Sequence, residues 1–240
     1  MERKAFLKSG LSALGIAAVV PLVGSCKKEN TSTSSSTGSD SSGGSGGSSS
    51  CTVSPTETEG PYPTHTPSSY VRSNITDDRT GVPLSVQITI QNANNNCAAL
   101  AGAIVDLWHC DKDGNYSEYS GFTTVHFLRG RQVTDANGLV TFTSIFPGWY
   151  TGRATHLHIH IYNAAGTSLK VTQISFPEGS TSAVAIVNTT ASGYTKGMSG
   201  YTYNASDGIF SDDTAGIEMA SVAGSVSAGY TLTHKIAVSA

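Results

Sequence analysis

The stretch Tyr150-Thr-Gly-Arg-Ala-Thr-His-Leu-His158 holds the side chains of this chain best suited to chemistry. His156 and His158 are two residues apart. Side chains alternate along a β-strand, so both imidazoles share one face and their nitrogens can converge on a single ion. His160 continues the alternation. Neighbours at i, i+2 are about 6.6 Å apart along a strand and those at i, i+4 about 13 Å. One ion can therefore take His156 with His158, or His158 with His160, but not all three. Two histidines leave a coordination sphere incomplete, and no Asp or Glu lies within ten residues of the pair. The aromatic donors are Tyr150, beside a Pro-Gly turn, and Tyr116, after Asp111-Lys-Asp-Gly-Asn. A phenolate is a hard anionic oxygen donor that suits Fe(III) better than Zn(II). Its pKa near 10 must fall for it to ligate, and a nearby trivalent charge supplies that shift. Arg153, a permanent cation beside these groups, points to an anionic substrate.

The elements that must position these residues read as all-β. Leu84–Ile90 alternates apolar and polar residues, and Ala103–His109, Leu139–Ile145, Thr155–Ile161, Ser168–Ile174 and Tyr230–Val238 continue the series. Asp111-Lys-Asp-Gly and Asp135-Ala-Asn-Gly are turn signals. Short strands divided by Gly and Asn turns predict a β-sandwich. Residues 180–188 are the one candidate for a short helix. Residues 193–224, rich in Gly, Ser, Tyr and Asp, read as a long excursion, and long ordered loops in a compact domain are often functional.

Ahead of this domain the chain reads as an export and tethering segment. Arg3, Lys4 and Lys8 precede an apolar run from Leu11 to Val23 that is too short to span a bilayer. Val23-Gly-Ser-Cys26 then resembles a bacterial lipobox, which makes residues 1–25 a lipoprotein signal peptide and Cys26 the lipid-bearing residue. The run Arg3-Lys-Ala-Phe-Leu-Lys8 resembles a twin-arginine export motif with Lys4 in place of the second arginine. Residues 26–50 form a Ser/Gly-rich tether whose composition cannot bury a core. The expected location is the outer side of a membrane, periplasmic or cell-surface, with the membrane touched only through the anchor. Residues 51–240 suffice for one well-cored catalytic domain. A net charge of −3 and the lack of a basic patch argue against nucleic acid as a partner. Export permits a disulfide. Cys97 and Cys110 flank one predicted strand and lie too far apart to bridge, so a bridge involves Cys51 with either of them, leaving one thiol over.

Five ordered pieces resemble the intradiol ring-cleavage dioxygenases: Thr58-Glu-Gly-Pro-Tyr62, Val105–Tyr116, Pro147-Gly-Trp-Tyr150, Arg153-Ala-Thr-His-Leu-His158 and Val171-Thr-Gln173. The resemblance runs from Cys51 to the C-terminus and favours the short, secreted members over those with an N-terminal helical region. It implies a non-haem Fe(III) held by Tyr116, Tyr150, His156 and His158. It places Arg153 and Gln173 at the substrate, with Tyr150 also catalytic, as a displaceable ligand that takes up a proton. The implied reaction is cleavage of a catechol-type aromatic by O2 to a cis,cis-muconate-type diacid. His160 falls outside the ligand motif and reads as a packing residue or one that backs a ligand. The short Thr151-Gly152 link sets this chain apart from better-known members, so the particular catechol is not carried over. Two other readings compete. A transthyretin-like binding module accounts for residues 83–150 but not for Arg153, the histidine pair or Gln173. A zinc hydrolase on the three histidines lacks a carboxylate or a third reachable histidine.

Overall fold

The computed structural model describes residues 51–240. The signal peptide, Cys26 and the tether fall outside these residues. Two sheets face each other across an apolar core. In the first, β1 (Pro83–Asn92) buries Leu84, Val86, Ile88 and Ile90 and turns Ser85, Gln87 and Thr89 outward, as its alternation requires. Its flanks are taken by β5 (Leu139–Ile145), antiparallel with Val86 opposite Phe142, and by β9 (Gly229–Val238), parallel with Val86 opposite Leu232. A two-residue β2 (Ala98–Ala99) and β8 (Ser221–Ser225) complete that sheet.

The second sheet is antiparallel in the order β4 (Arg129–Val133), β3 (Ile104–Trp108), β6 (His156–Tyr162), β7 (Ser168–Ser175). Val105, Leu107, Leu157, Ile159 and Ile161 point into the core. The intervening residues of β3 and β6, Asp106, Trp108, His156, His158 and His160, therefore line the opposite face. β4 was not expected from its sequence, Arg-Gly-Arg-Gln-Val, which carries no clear apolar alternation. It forms through its ladder with β3, and Arg131 faces Asp106 in register with an Nη2–Oδ2 distance of 2.7 Å.

A face rich in histidine would ordinarily be open to water, yet His156 and His158 are buried. An N-terminal strap lies against His158 through Gly60, and Tyr150 and Phe210 flank His156. This strap is bridged at Cys51 to Cys97, which resolves the open pairing and leaves Cys110 as the buried free thiol. The strap then follows the end of β9 and the edge of β7, with Ser54 N–H donating to the Ala237 carbonyl and Glu57 N–H to that of Val171. The expected helix is one turn, α1 (Ala183–Val187), capped by the Ser182 hydroxyl. Residues 193–224 run mostly irregular, with 3-10 turns at Asn204–Ser206 and Phe210–Asp212, and end in β8. This excursion nonetheless buries Tyr194, Tyr201 and Phe210.

Candidate metal centre

Strand register brings the site together. Trp108 on β3, His158 on β6 and Gln173 on β7 are direct cross-strand neighbours and form one row on the outer face. The Trp108 indole stacks on the His158 ring, 5.0 Å between centroids and 5° from parallel. Tyr116 enters after the Asp111 turn, where the Asp111 carboxylate accepts the N–H groups of Asp113 and Asn115. Its hydroxyl ends 3.3 Å from His156 Nε2 and 3.2 Å from His158 Nε2, and those two nitrogens are 3.1 Å apart. Tyr150 lies edge-on to His156 and Tyr116, with ring centroids 5.6 and 5.9 Å away.

The hydrogen bonds available to this triangle do not satisfy all three of its contacts. His156 Nδ1 lies 2.6 Å from the Ala154 carbonyl, so it carries the proton and leaves an Nε2 lone pair facing the other donors. Burial, reinforced by Arg153, holds His156 neutral with its pKa lowered to about 3, and burial drives His158 well below its ordinary value too. Three mutual contacts need three protons. The Tyr116 hydroxyl supplies one and His158 Nε2 at most another, so one contact sets lone pair against lone pair. The Tyr150 hydroxyl is buried with no hydrogen-bond partner, as is His158 Nδ1. Such gaps in a buried polar cluster leave a place for an ion or a water as the missing partner. Donors 3.1–3.3 Å apart are spaced like neighbouring ligands around one ion at bond lengths of roughly 2.1 Å. Without a cation both phenols stay protonated, because burial pushes Tyr116 well above its usual value and raises Tyr150 as well. Arg153 opposes that rise electrostatically at Tyr150, although the hydroxyl makes no hydrogen bond to it in this geometry. The donor set of two neutral imidazoles and two phenols thus fits a hard trivalent ion.

Arg153 and Gln173 meet beside this centre. Arg153 Nη2 donates to Gln173 Oε1 at 2.6 Å, and Gln173 Nε2 donates to the Thr58 carbonyl of the strap at 3.0 Å. His160 is turned elsewhere. It contacts Glu59 (2.9 Å), Ser168 (2.8 Å) and the Tyr162 hydroxyl (2.9 Å), and stacks on the Tyr162 ring. Sequence reasoning missed Gly60, Tyr62 and Asp207. Tyr62 stacks on Tyr116 at 4.6 Å between centroids, and its position within Thr58–Tyr62 was the available signal. Gly60 lies against the His158 ring, where an added methyl carbon would sit 2.8 Å from Cε1. Asp207 receives Arg153 Nε at 2.9 Å, and its only advance signal was its place in the long excursion.

Comparison with known proteins bears on this geometry. The profile of the family described as Dioxygenase matches residues 58–209. An intradiol ring-cleavage dioxygenase from Tetranychus urticae superposes with a TM-score of 0.69 at 32% identity, covering 78% of this chain and 95% of its own. The dioxygenase domain of a dioxygenase–carbohydrate-binding fusion from Streptomyces sp. SirexAA-E superposes with a TM-score of 0.57 at 26% identity, covering 78% and 97%. A chlorocatechol 1,2-dioxygenase of Rhodococcus opacus is 33% identical over 97 residues, 32% of this chain and 37% of that protein. The chain spans about two-fifths of the length of the curated relatives it matches.

Proposed function

Since the chain belongs to the intradiol ring-cleavage dioxygenase family, we infer that it opens a catechol-type aromatic between its two hydroxyls with O2, giving a cis,cis-muconate-type diacid. The observation that carries this reading is the convergence of Tyr116 Oη, His156 Nε2 and His158 Nε2 within 3.3 Å of one another, with the unpartnered Tyr150 hydroxyl beside them. These four residues would hold a non-haem Fe(III). When bound, that ion supplies the Lewis acidity that keeps phenol and catechol oxygens ionised and the electron-accepting character that opens the ring to O2.

The chain's own residues have separable tasks. His156, its tautomer set by the Ala154 carbonyl, and His158, clamped between Trp108 and Gly60, are fixed ligands that need no rearrangement. Tyr116 is equally fixed, stacked by Tyr62. Tyr150 is the donor with freedom to move, since no hydrogen bond restrains its hydroxyl. Its oxygen is the base that receives a proton from an incoming catechol hydroxyl. Arg153 stabilises the negative charge that the ring acquires. Gln173, held between Arg153 and the Thr58 carbonyl, fixes the guanidinium and orients the substrate. Tyr62, Trp108 and Phe210 pack against Tyr116, His158 and His156 respectively and shield those sides of the centre. The location expected from the sequence belongs to the same proposal: an exported, lipid-anchored domain held outside the cytoplasm. The Cys51–Cys97 disulfide favours that setting.

Purified protein should bind about one iron and show a visible phenolate-to-Fe(III) absorption. It should consume O2 with catechol, protocatechuate, hydroxyquinol or a larger catechol. A protein that loads iron without colour, or that binds none, contradicts the ligand set. Coloured protein inert toward every catechol contradicts the activity.

A further inference from the structure

Arg153 is held at the site by two neighbouring side chains. Its Nε hydrogen is shared between Asp207 Oδ2 at 2.9 Å and Oδ1 at 3.2 Å, while Nη2 donates to Gln173. Asp207 is fully buried, so its charge is shielded from water and interacts strongly with the guanidinium. The carboxylate is itself fixed from two directions. Oδ2 accepts the Ala154 N–H at 2.7 Å and Oδ1 the Ile209 N–H at 2.8 Å. The Ala154 N–H serves here to anchor the carboxylate, whose side-chain hydrogen bonds go to Arg153. Phe210, three residues after Asp207, lies under the guanidinium with Cζ 5.6 Å from the ring centroid. Two edges of the guanidinium fork are committed, to a carboxylate from the excursion and to an amide from β7. The guanidinium's hydrogen bonds use Nε and Nη2, which leaves Nη1 without one among the described residues.

We propose that Asp207 is a positioning residue for the ring-cleavage reaction: it fixes the rotation of the Arg153 guanidinium so that the uncommitted edge faces the substrate. Arginine has four rotatable side-chain bonds and, unheld, samples many orientations. A displacement of about 1 Å in a group that stabilises developing charge can cost on the order of 100-fold in rate. The excursion of residues 193–224 then has a defined task, which is to deliver this carboxylate to β6.

This proposal rests on the dioxygenase reading, and the test separates the two. Asp207→Asn keeps the size and one acceptor but removes the charge. Iron content, the visible band without substrate and the thermal midpoint report the centre and the fold. The proposal expects iron content and band unchanged and kcat lowered roughly 10- to 100-fold. It also expects weaker binding of a non-cleavable analogue, 4-nitrocatechol, read at equilibrium. In the double variant Asp207→Asn/Arg153→Gln the loss should equal that of Arg153→Gln alone, because a residue acting only through Arg153 has nothing left to position. Losses that multiply would overturn the proposal, as would loss of iron or of the substrate-free band in Asp207→Asn. If Asp207→Asn does not fold, Asp207→Glu decides. It keeps the charge but shifts it by one methylene, so lowered kcat with normal iron supports positioning and wild-type kcat refutes it. Wild-type protein that binds no iron defeats the dioxygenase reading instead.

Discussion

Gly60→Ala should perturb the proposed metal centre from a residue that offers no side-chain donor atom. Gly60 sits at φ +70°, and a methyl carbon there would come 2.8 Å from His158 Cε1 and 3.5 Å from Nε2. The left-handed backbone alone costs an alanine roughly 1–2 kcal/mol. Carbon atoms rest about 3.5–4.0 Å apart, so the contact falls short by about 0.7 Å and adds an overpacking cost of roughly 1–3 kcal/mol. The ring cannot retreat freely, since the Trp108 indole lies parallel to it on the same sheet face. The strap cannot lift freely either, since Arg129 holds the Tyr62 carbonyl and Gln173 the Thr58 carbonyl. Part of the strain should appear as tilt of His158 away from Tyr116 and His156, with iron affinity falling about 10- to 100-fold. Gly166→Ala is the control. Gly166 also has a positive φ, +83°, but no atom within 4 Å of the added carbon, so it pays only the backbone cost. The assay is iron competition against a chelator, with the visible band and thermal midpoint followed in parallel. Equal iron affinity in the two variants would refute the contact argument.

Three further outcomes follow from the geometry. Tyr116→Phe should weaken iron retention or shift the visible band while His160→Ala leaves both nearly unchanged, because His160 is engaged with Glu59, Ser168 and Tyr162; iron loss in His160→Ala would mean that the other histidine pair holds the ion. Cys97→Ser opens a bridge between residues 46 apart in sequence, and urea denaturation should show a stability loss of roughly 2–4 kcal/mol, a result within 0.5 kcal/mol of wild type speaking against any role for the bridge in fixing the strap. His109, buried and held by the Cys110 carbonyl and Ser144, has its pKa lowered to about 4, by burial above all. The unfolded chain then binds the extra proton first, so His109 alone lowers stability as pH drops from about 6.5 toward 4, by about 2 kcal/mol at pH 5; urea midpoints at pH 7 and pH 5 should show a smaller drop in His109→Gln than in wild type.

Much of this protein is written in local sequence. The period-2 alternation of Leu84–Ile90 and of Leu157, Ile159 and Ile161 determines which faces are buried, since a strand has only two faces and one of them must be covered. The same period puts His156 and His158 on one face, and the spacing along a strand bars a three-histidine site. The fold class and the ligand candidates were therefore legible. Arg129–Val133 was not, because a strand held by backbone pairing and an Arg131–Asp106 ion pair carries no apolar rhythm.

What tertiary structure alone decided concerns partners distant in the chain. Which two histidines meet Tyr116 depends on the register between β3 and β6 and on a turn some forty residues upstream. His158 is buried on the outer face of β6 where a strap from the N-terminal end of the domain lies against it, and no periodicity in β6 announces that cover. The sequence near the histidines offers no carboxylate, yet the fold brings Asp207 to Arg153 from 54 residues away. Alternation is a property of neighbouring residues and can be read along the chain. The orientation of a guanidinium or an imidazole is set by whatever the folded chain packs against it, and that is settled only when strands, strap and excursion meet.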